Sequence, residues 1–223
     1  MDHWEPDRDF ESARRRMLDE QIVARGVSDP RVLAALLAVP RHELVPPAER
    51  SYAYEDRPLP LGEGQTISRP YIVAVMTELL ALDGSERVLE VGTGSGYQAA
   101  VLSGLVREVY TIEIVPELAR RAAADLARLG YANVHVREGD GYRGWPEEAP
   151  FDAIVVTAAP DHVPEPLVAQ LAVGGRMVVP VGGLIQDLVL VRREADGVRL
   201  EHGLGVRFVP MTGEAERRRE GEP

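Results

Sequence analysis

The chain has no cysteine and no lysine, and Asn133 is its only asparagine. Without cysteine there are no disulfides, no thiolate chemistry and no Cys-ligated metal, which fits a reducing compartment. Without lysine the phosphate loop G-x-x-x-x-G-K-[ST] is excluded. Positive charge is scarce as well: 25 arginines face 36 acids, the formal net charge is −11, and a nucleic-acid backbone is therefore a poor partner. No apolar run approaches the length of a membrane span, and Met1 to Phe10 has neither an apolar core nor a cleavage pattern. A soluble, cytoplasmic protein that binds neither membrane nor nucleic acid is expected. His3, His42, His135, His162 and His202 show no metal-ligand spacing, so no metal site is expected.

What is present suffices for one α/β domain: 223 residues, 45% of them hydrophobic, can bury a full core. Met17, Leu18, Ile22 and Val23 fall at helical spacing before Gly26, and Ser28-Asp29-Pro30 can cap a second helix over Arg31 to Val39. Arg57 to Pro70, rich in proline and glycine, reads as an irregular loop leading to a helix from Tyr71 to Leu82. Strands are expected after Val88, over Glu108–Ile114, Asn133–Arg137, Phe151–Val156 and Arg176–Val181, with a helix over Glu165–Leu171. Asp187–Arg193 and Glu201–Val209 pair as antiparallel strands around Asp196-Gly197. Alternating strands and helices ending in a hairpin predict a doubly wound, mostly parallel sheet of seven strands, with ligand at the carboxyl ends of the first strands.

The organising stretch is Val88 to Tyr97, Val-Leu-Glu-Val-Gly-Thr-Gly-Ser-Gly-Tyr, a buried-type strand, a glycine turn and the start of a helix. A dinucleotide loop wants a glycine or alanine where Tyr97 stands, and G-x-S-x-G fails because Thr93 and Tyr97 flank the positions around Ser95. Glu90, just before Gly92, Gly94 and Gly96, suits a cationic ligand better than a pyrophosphate; a bare glycine turn is the alternative. Glu113 ends the next strand about 20 residues after Gly92, where an acid can hold two ribose hydroxyls. Asp140, in Gly139-Asp140-Gly141, ends the third strand and could accept from an adenine amino group. The ordered set of acids describes an adenosyl ligand with a positive centre and no phosphates, S-adenosylmethionine.

Several segments carry a more specific likeness. Val39-Pro-Arg-His-Glu-Leu-Val45, Gly64-Gln-Thr-Ile-Ser-Arg-Pro-Tyr71, the glycine stretch through Gln98, Gly139-Asp-Gly141, Phe151 to Ala159 and Val206-Arg-Phe-Val-Pro210 lie within a span from about Arg15 to Thr212. That span resembles the protein-L-isoaspartate O-methyltransferases. Gln-Thr-Ile-Ser and Arg-Phe-Val-Pro are the discriminating pieces; Arg69 stands where bacterial members more often have glutamine, and Glu43-Leu44 where a more apolar pair with an aromatic is expected.

The resemblance implies a Rossmann-like methyltransferase sheet, its last two strands exchanged relative to most methyltransferases. Residues 1–70 would be a helical preface and substrate loop of the same domain, 71–212 the cofactor-binding core and 213–223 a charged, flexible tail. It also implies methyl transfer from S-adenosylmethionine to the free carboxylate of isoaspartyl residues in damaged proteins and peptides, by a monomer. Ser68 would then hold the carboxylate; Glu90, Gly92, Thr93, Gly94, Gly96, Glu113, Asp140, Gly141 and Thr212 the cofactor; Gln65, Thr66, Ile67, Val206, Phe208 and Val209 the peptide. Read from sequence alone, Ser68 is rather a helix cap before Pro70, a preference that the resemblance overturns. Alternatives are a methyltransferase of another carboxylate or small molecule, and a module that binds the adenosyl ligand without catalysis.

Overall fold

The computed structural model of the chain describes residues 6–219. Its centre is a seven-stranded sheet. In chain order the strands are β3 (Arg87–Val91), β4 (Glu108–Glu113), β5 (Val134–Glu138), β6 (Phe151–Val156), β7 (Leu171–Gly182), β8 (Gln186–Glu194) and β9 (Gly197–Val206), because a small two-stranded sheet precedes them. Across the sheet they run β5-β4-β3-β6-β7-β8-β9, parallel as far as β7, with β8 antiparallel to β7 and β9 antiparallel to β8. The last strands thus follow in chain order, with β9 at the edge. Strand order reverses between β3 and β6, so their carboxyl ends open a crevice.

Alternation along β3 explains the two-sided burial. Val88 packs into one core with α3 (Pro70–Leu80), α4 (Tyr97–Ser103) and α5 (Pro116–Arg128), while Leu89 and Val91 enter the other, with Leu167 of α6 (Glu165–Gln170) and Ala215 of α7 (Glu214–Arg219). On α5, Leu118, Ala122 and Leu126 recur every four residues and are buried, whereas Arg120 faces water and the half-buried Arg121 donates to the Leu61 carbonyl at 3.1 Å.

The helical preface differs in detail from its expected form. α1 (Pro6–Arg16) continues as a π-helical turn, Met17–Ile22, and a 3-10 turn before Gly26. Met17 and Ile22, five positions apart, are both fully buried, and the wider π turn places residues at that spacing on one face. α2 (Pro30–Ala38) starts as expected, with the Asp29 carboxylate accepting from the N–H groups of Arg31 and Val32.

Two sequence expectations are corrected. The loop from Arg57 to Pro70 contains a hairpin, β1 (Leu59–Gly62) and β2 (Gln65–Ile67), turned by Glu63 and Gly64, both with positive φ (52° and 69°), as a type I′ turn requires. Pro58 and Pro60 argue against a strand, but this sheet has only edges, where proline is tolerated. β7 begins five residues before Arg176, at Leu171, because its pairing with β6 resumes after a register shift around Gly174-Gly175. Of the tail, Glu214–Arg219 form a helix whose first two residues are buried; residues 220–223 lie outside the described residues.

Candidate functional site: a cofactor crevice joined to a peptide groove

At the end of β3 the backbone is pinned to its neighbours before any ligand is considered. The Gly92 and Thr93 N–H groups both donate to the Ile112 carbonyl, at 2.8 and 3.2 Å. Thr157, the residue after β6, donates its hydroxyl to the carbonyls of Val91 and Gly92 at 3.0 and 2.6 Å. A Cβ on Gly92 would stand 2.3 Å from that hydroxyl, and one on Gly141 would stand 2.4 Å from Val91, so both positions demand glycine.

Three carboxylates come together here, two positioned by backbone N–H groups and one by a threonine hydroxyl. Glu113 accepts from Gly94 N–H at 2.8 Å with one oxygen and from Val115 N–H at 2.9 Å with the other. Each oxygen has a second lone pair to offer. Asp140 accepts from Tyr142 N–H at 3.0 Å and from Glu214 N–H at 2.7 Å, tying the C-terminal helix to the crevice. Glu90 is wholly buried: Oε2 accepts from the Thr111 hydroxyl at 2.6 Å, which is itself 2.6 Å from that of Thr93, while Oε1 has no partner. Burial pushes the Glu90 pKa up to about 8; the Thr111 bond opposes the shift and the Glu113 charge adds to it. A partnerless buried carboxyl oxygen is costly, and a positively charged ligand would relieve it. The donor set therefore fits an adenosyl ligand with a cationic centre.

The surrounding space is divided into three joined cavities. Gly92, Gly94, Glu113, Asp140, Gly141 and Thr212 line one, with Gln65 and Thr66 also on its wall. A narrower cleft contains Glu90, Thr93, Ile67 and Ser68 together with Ser95 and Gln98. A groove runs between Pro58, Ser68, Arg69 and Ile72 on one wall and Arg207, Phe208, Val209 and Pro210 on the other. Thr66 and Thr157 border all three, and Ser68 borders both the cleft and the groove.

Ser68 is free for this role because it is not the cap. The residue at the N-cap of α3 is Arg69, and the free N–H of Tyr71 in the first turn is met by the Asp56 carboxylate at 3.2 Å. The loop is held from behind by Arg41, fully buried, which donates to the Ala53 carbonyl at 2.7 Å and the Ser68 carbonyl at 2.8 Å and lies 4.5 Å from the Tyr97 ring. Burial lowers the Arg41 pKa to about 10, which leaves it cationic at neutral pH. The opposite wall is held by Gln186, which accepts from Phe208 N–H at 2.6 Å and donates to the Phe208 carbonyl at 3.1 Å. Val209 and Met211 bond to the backbone of Ala159 on either side.

Two of the residues singled out from sequence lie elsewhere. Val206, at the end of β9, packs against the larger core, and Gly96 forms the N-cap of α4 against Leu126. Thr157, Arg41 and Gln186 were missed. Thr157 had a signal, since it follows β6 at the reversal of strand order. Arg41 and Gln186 act through carbonyls and N–H groups 12 to 27 positions away, which no local pattern marks.

Comparison with known proteins is decisive. A family model described as protein-L-isoaspartate(D-aspartate) O-methyltransferase matches residues 12–216. The chain belongs to this family. It is 56% identical over 200 residues to a Picosynechococcus protein-L-isoaspartate O-methyltransferase, covering 90% of each chain. It is 59% identical over 205 residues to protein-L-isoaspartate O-methyltransferase 2 of Shewanella sediminis, covering 91% of this chain and 84% of that one. A solved protein-L-isoaspartate O-methyltransferase superposes with a TM-score of 0.83 at 34% identity, covering 93% of this chain and 69% of that chain. A Plasmodium falciparum protein described as the same kind of enzyme, crystallised with S-adenosyl-L-homocysteine, superposes at 0.78 with 25% identity, covering 89% of this chain and 98% of that one. The cavity beside Glu113 and Asp140 and the groove share Thr66 and Thr157, and the narrower cleft shares Ser68 with the groove.

Proposed function

We propose that the chain performs its family's reaction, methyl transfer from S-adenosylmethionine to the free α-carboxylate of L-isoaspartyl residues in damaged proteins, with Ser68 orienting that carboxylate. The observation that carries the assignment is the place of Ser68, on the border of groove and cofactor cleft, with the N-cap of the adjoining helix held by Arg69 instead. When bound, S-adenosylmethionine supplies a methyl group on a positively charged sulfur. Glu90 and the Gly92–Gly94 turn hold the methionine part, Glu113 the ribose, and Asp140, Gly141 and Thr212 the adenine; Gln65 and Thr66 close the other side.

The residues need not remove a proton. An isoaspartyl α-carboxyl that behaves as a terminal carboxyl titrates at about 3.3–3.7 and is an anion at neutral pH. The Ser68 hydroxyl donates to one of its oxygens and aims the other at the methyl-bearing end of the cleft. Walls built from Ile67, Phe208, Val209 and Pro210 exclude water, and holding the partners in line supplies most of the acceleration. The reading takes the enzyme as a cytoplasmic monomer.

Base-labile methyl esters, detected as volatile methanol, test it. Methanol is expected with an isoaspartyl peptide and not with the same peptide carrying normal aspartate. Equal signals from both would leave a methyltransferase of carboxylates in general.

A further inference from the structure

We infer that Arg69 and Arg207 make the mouth of the groove select isoaspartyl segments with an acidic side chain beside the damaged residue. The inference rests on reading the groove as the peptide site. The ionisable side chains on its lining are these two, both cations, on a chain whose formal net charge is −11. Neither is neutralised at close range. Arg69 is 4.0 Å from Asp56, and the same oxygen of Asp56 already takes Arg25 at 2.7 Å while the other accepts from Tyr71 N–H at 3.2 Å. Arg207 is exposed and, among the described residues, has neither an ion pair nor a hydrogen bond.

The reaction argues against these cations gripping the reacting carboxylate. Its charge disappears as the ester forms, so a guanidinium paired with it would favour the reactant over the transition state and slow the step. Ser68 can align the group without that cost. Cations at the rim suit an anion that stays charged throughout, such as the side chain of a neighbouring aspartate or glutamate.

Exposed pairs of this kind are weak and screened by salt, which sets the expected effect at about two- to fivefold for each arginine. The test uses isoaspartyl peptides that differ only in one flanking residue, Glu, Gln or Arg, on either side. KM for each is measured with the wild-type enzyme, Arg69→Gln, Arg207→Gln, the double variant and Arg69→Lys, with melting temperatures alongside. At low ionic strength KM should rise in the order Glu, Gln, Arg on at least one side. The spread should shrink in each Gln variant, vanish in the double variant and at high salt, and survive in Arg69→Lys, which keeps the charge. Equal KM values in the wild type, or a preference for Glu that persists in the double variant, would overturn the inference. If the Gln-flanked isoaspartyl peptide is not methylated at all, the reading of the groove fails with it; methylation without any order sinks only the selection.

Discussion

The two halves of the site are built on different principles. On the cofactor side Glu90, Glu113 and Asp140 stand at the ends of three adjacent strands, and their oxygens are held by groups close in the fold: the Thr111 hydroxyl and the N–H groups of Gly94, Val115, Tyr142 and Glu214. On the substrate side the walls come from segments near residues 58–72 and 207–210, joined only by the fold, and each is fixed from behind by one long side chain, Arg41 or Gln186. A strand end is placed by the sheet itself, whereas a loop must be placed by something else. The cofactor half should therefore tolerate damage to the substrate half, and the variants below are chosen to break that independence.

The largest effect is expected from Arg41→Ala. It strips a buried cation from the Ala53 and Ser68 carbonyls and leaves a hole beside Tyr97, so a loss of about 3–5 kcal/mol of stability should appear in denaturant unfolding. Below its melting temperature the variant should bind S-adenosylmethionine nearly normally and methylate peptide poorly. Weakened cofactor binding of the same size would show that the halves are coupled.

Glu90→Gln attacks the other half. Affinity for S-adenosylmethionine should fall by about 1.5–3 kcal/mol by calorimetry, the range for hydrogen bonds to a charged group. In the wild type the affinity should also climb between pH 6 and 7.5, by up to about tenfold per unit, because Glu90, with a pKa of about 8, must release its proton to meet a cationic ligand. The Gln variant should lack that climb. Stability moves the opposite way: a carboxyl whose folded pKa is raised contributes stability below its unfolded pKa and loses it as pH rises through about 8. Free of ligand, Glu90→Gln should thus melt above the wild type at pH 8.5, and a lower melting temperature there would remove the strain assigned to Glu90.

The smallest effect is expected from Gln186→Ala. Losing the clamp on Phe208 should cost about 1–2 kcal/mol and raise KM for peptide without changing cofactor affinity. An unchanged KM would mean that Ala159 alone holds that wall.

The same contrast explains what could be read before folding. The glycine stretch, its acids at successive strand ends and the buried-type strands are local patterns and were legible, although β9 runs over Gly197–Val206 where Glu201–Val209 was expected. The β1–β2 hairpin was hidden by Pro58 and Pro60, whose cost vanishes in a sheet made only of edges. Gly174-Gly175 suggested a loop before β7, whereas the strand runs through it with a shift of register. Ser68 was ambiguous because a serine two residues before a helix-starting proline looks like a cap; geometry gives that position to Arg69. Arg41 was invisible as a structural residue because only its burial against distant carbonyls distinguishes it from a solvated arginine.

One preparation of Ser68→Ala tests the central claim most directly, through three quantities: melting temperature, S-adenosylmethionine affinity and single-turnover methyl transfer to an isoaspartyl peptide. With the carboxylate no longer held, the rate and kcat/KM should fall together by a factor on the order of 10 to 100, since the contact matters most at the transition state. Melting temperature and cofactor affinity should stay near wild type, because no capping bond is lost and Glu90, Glu113 and Asp140 are untouched. A wild-type single-turnover rate with a melting temperature lowered by the loss of a cap, about 1 kcal/mol of stability, would contradict the account.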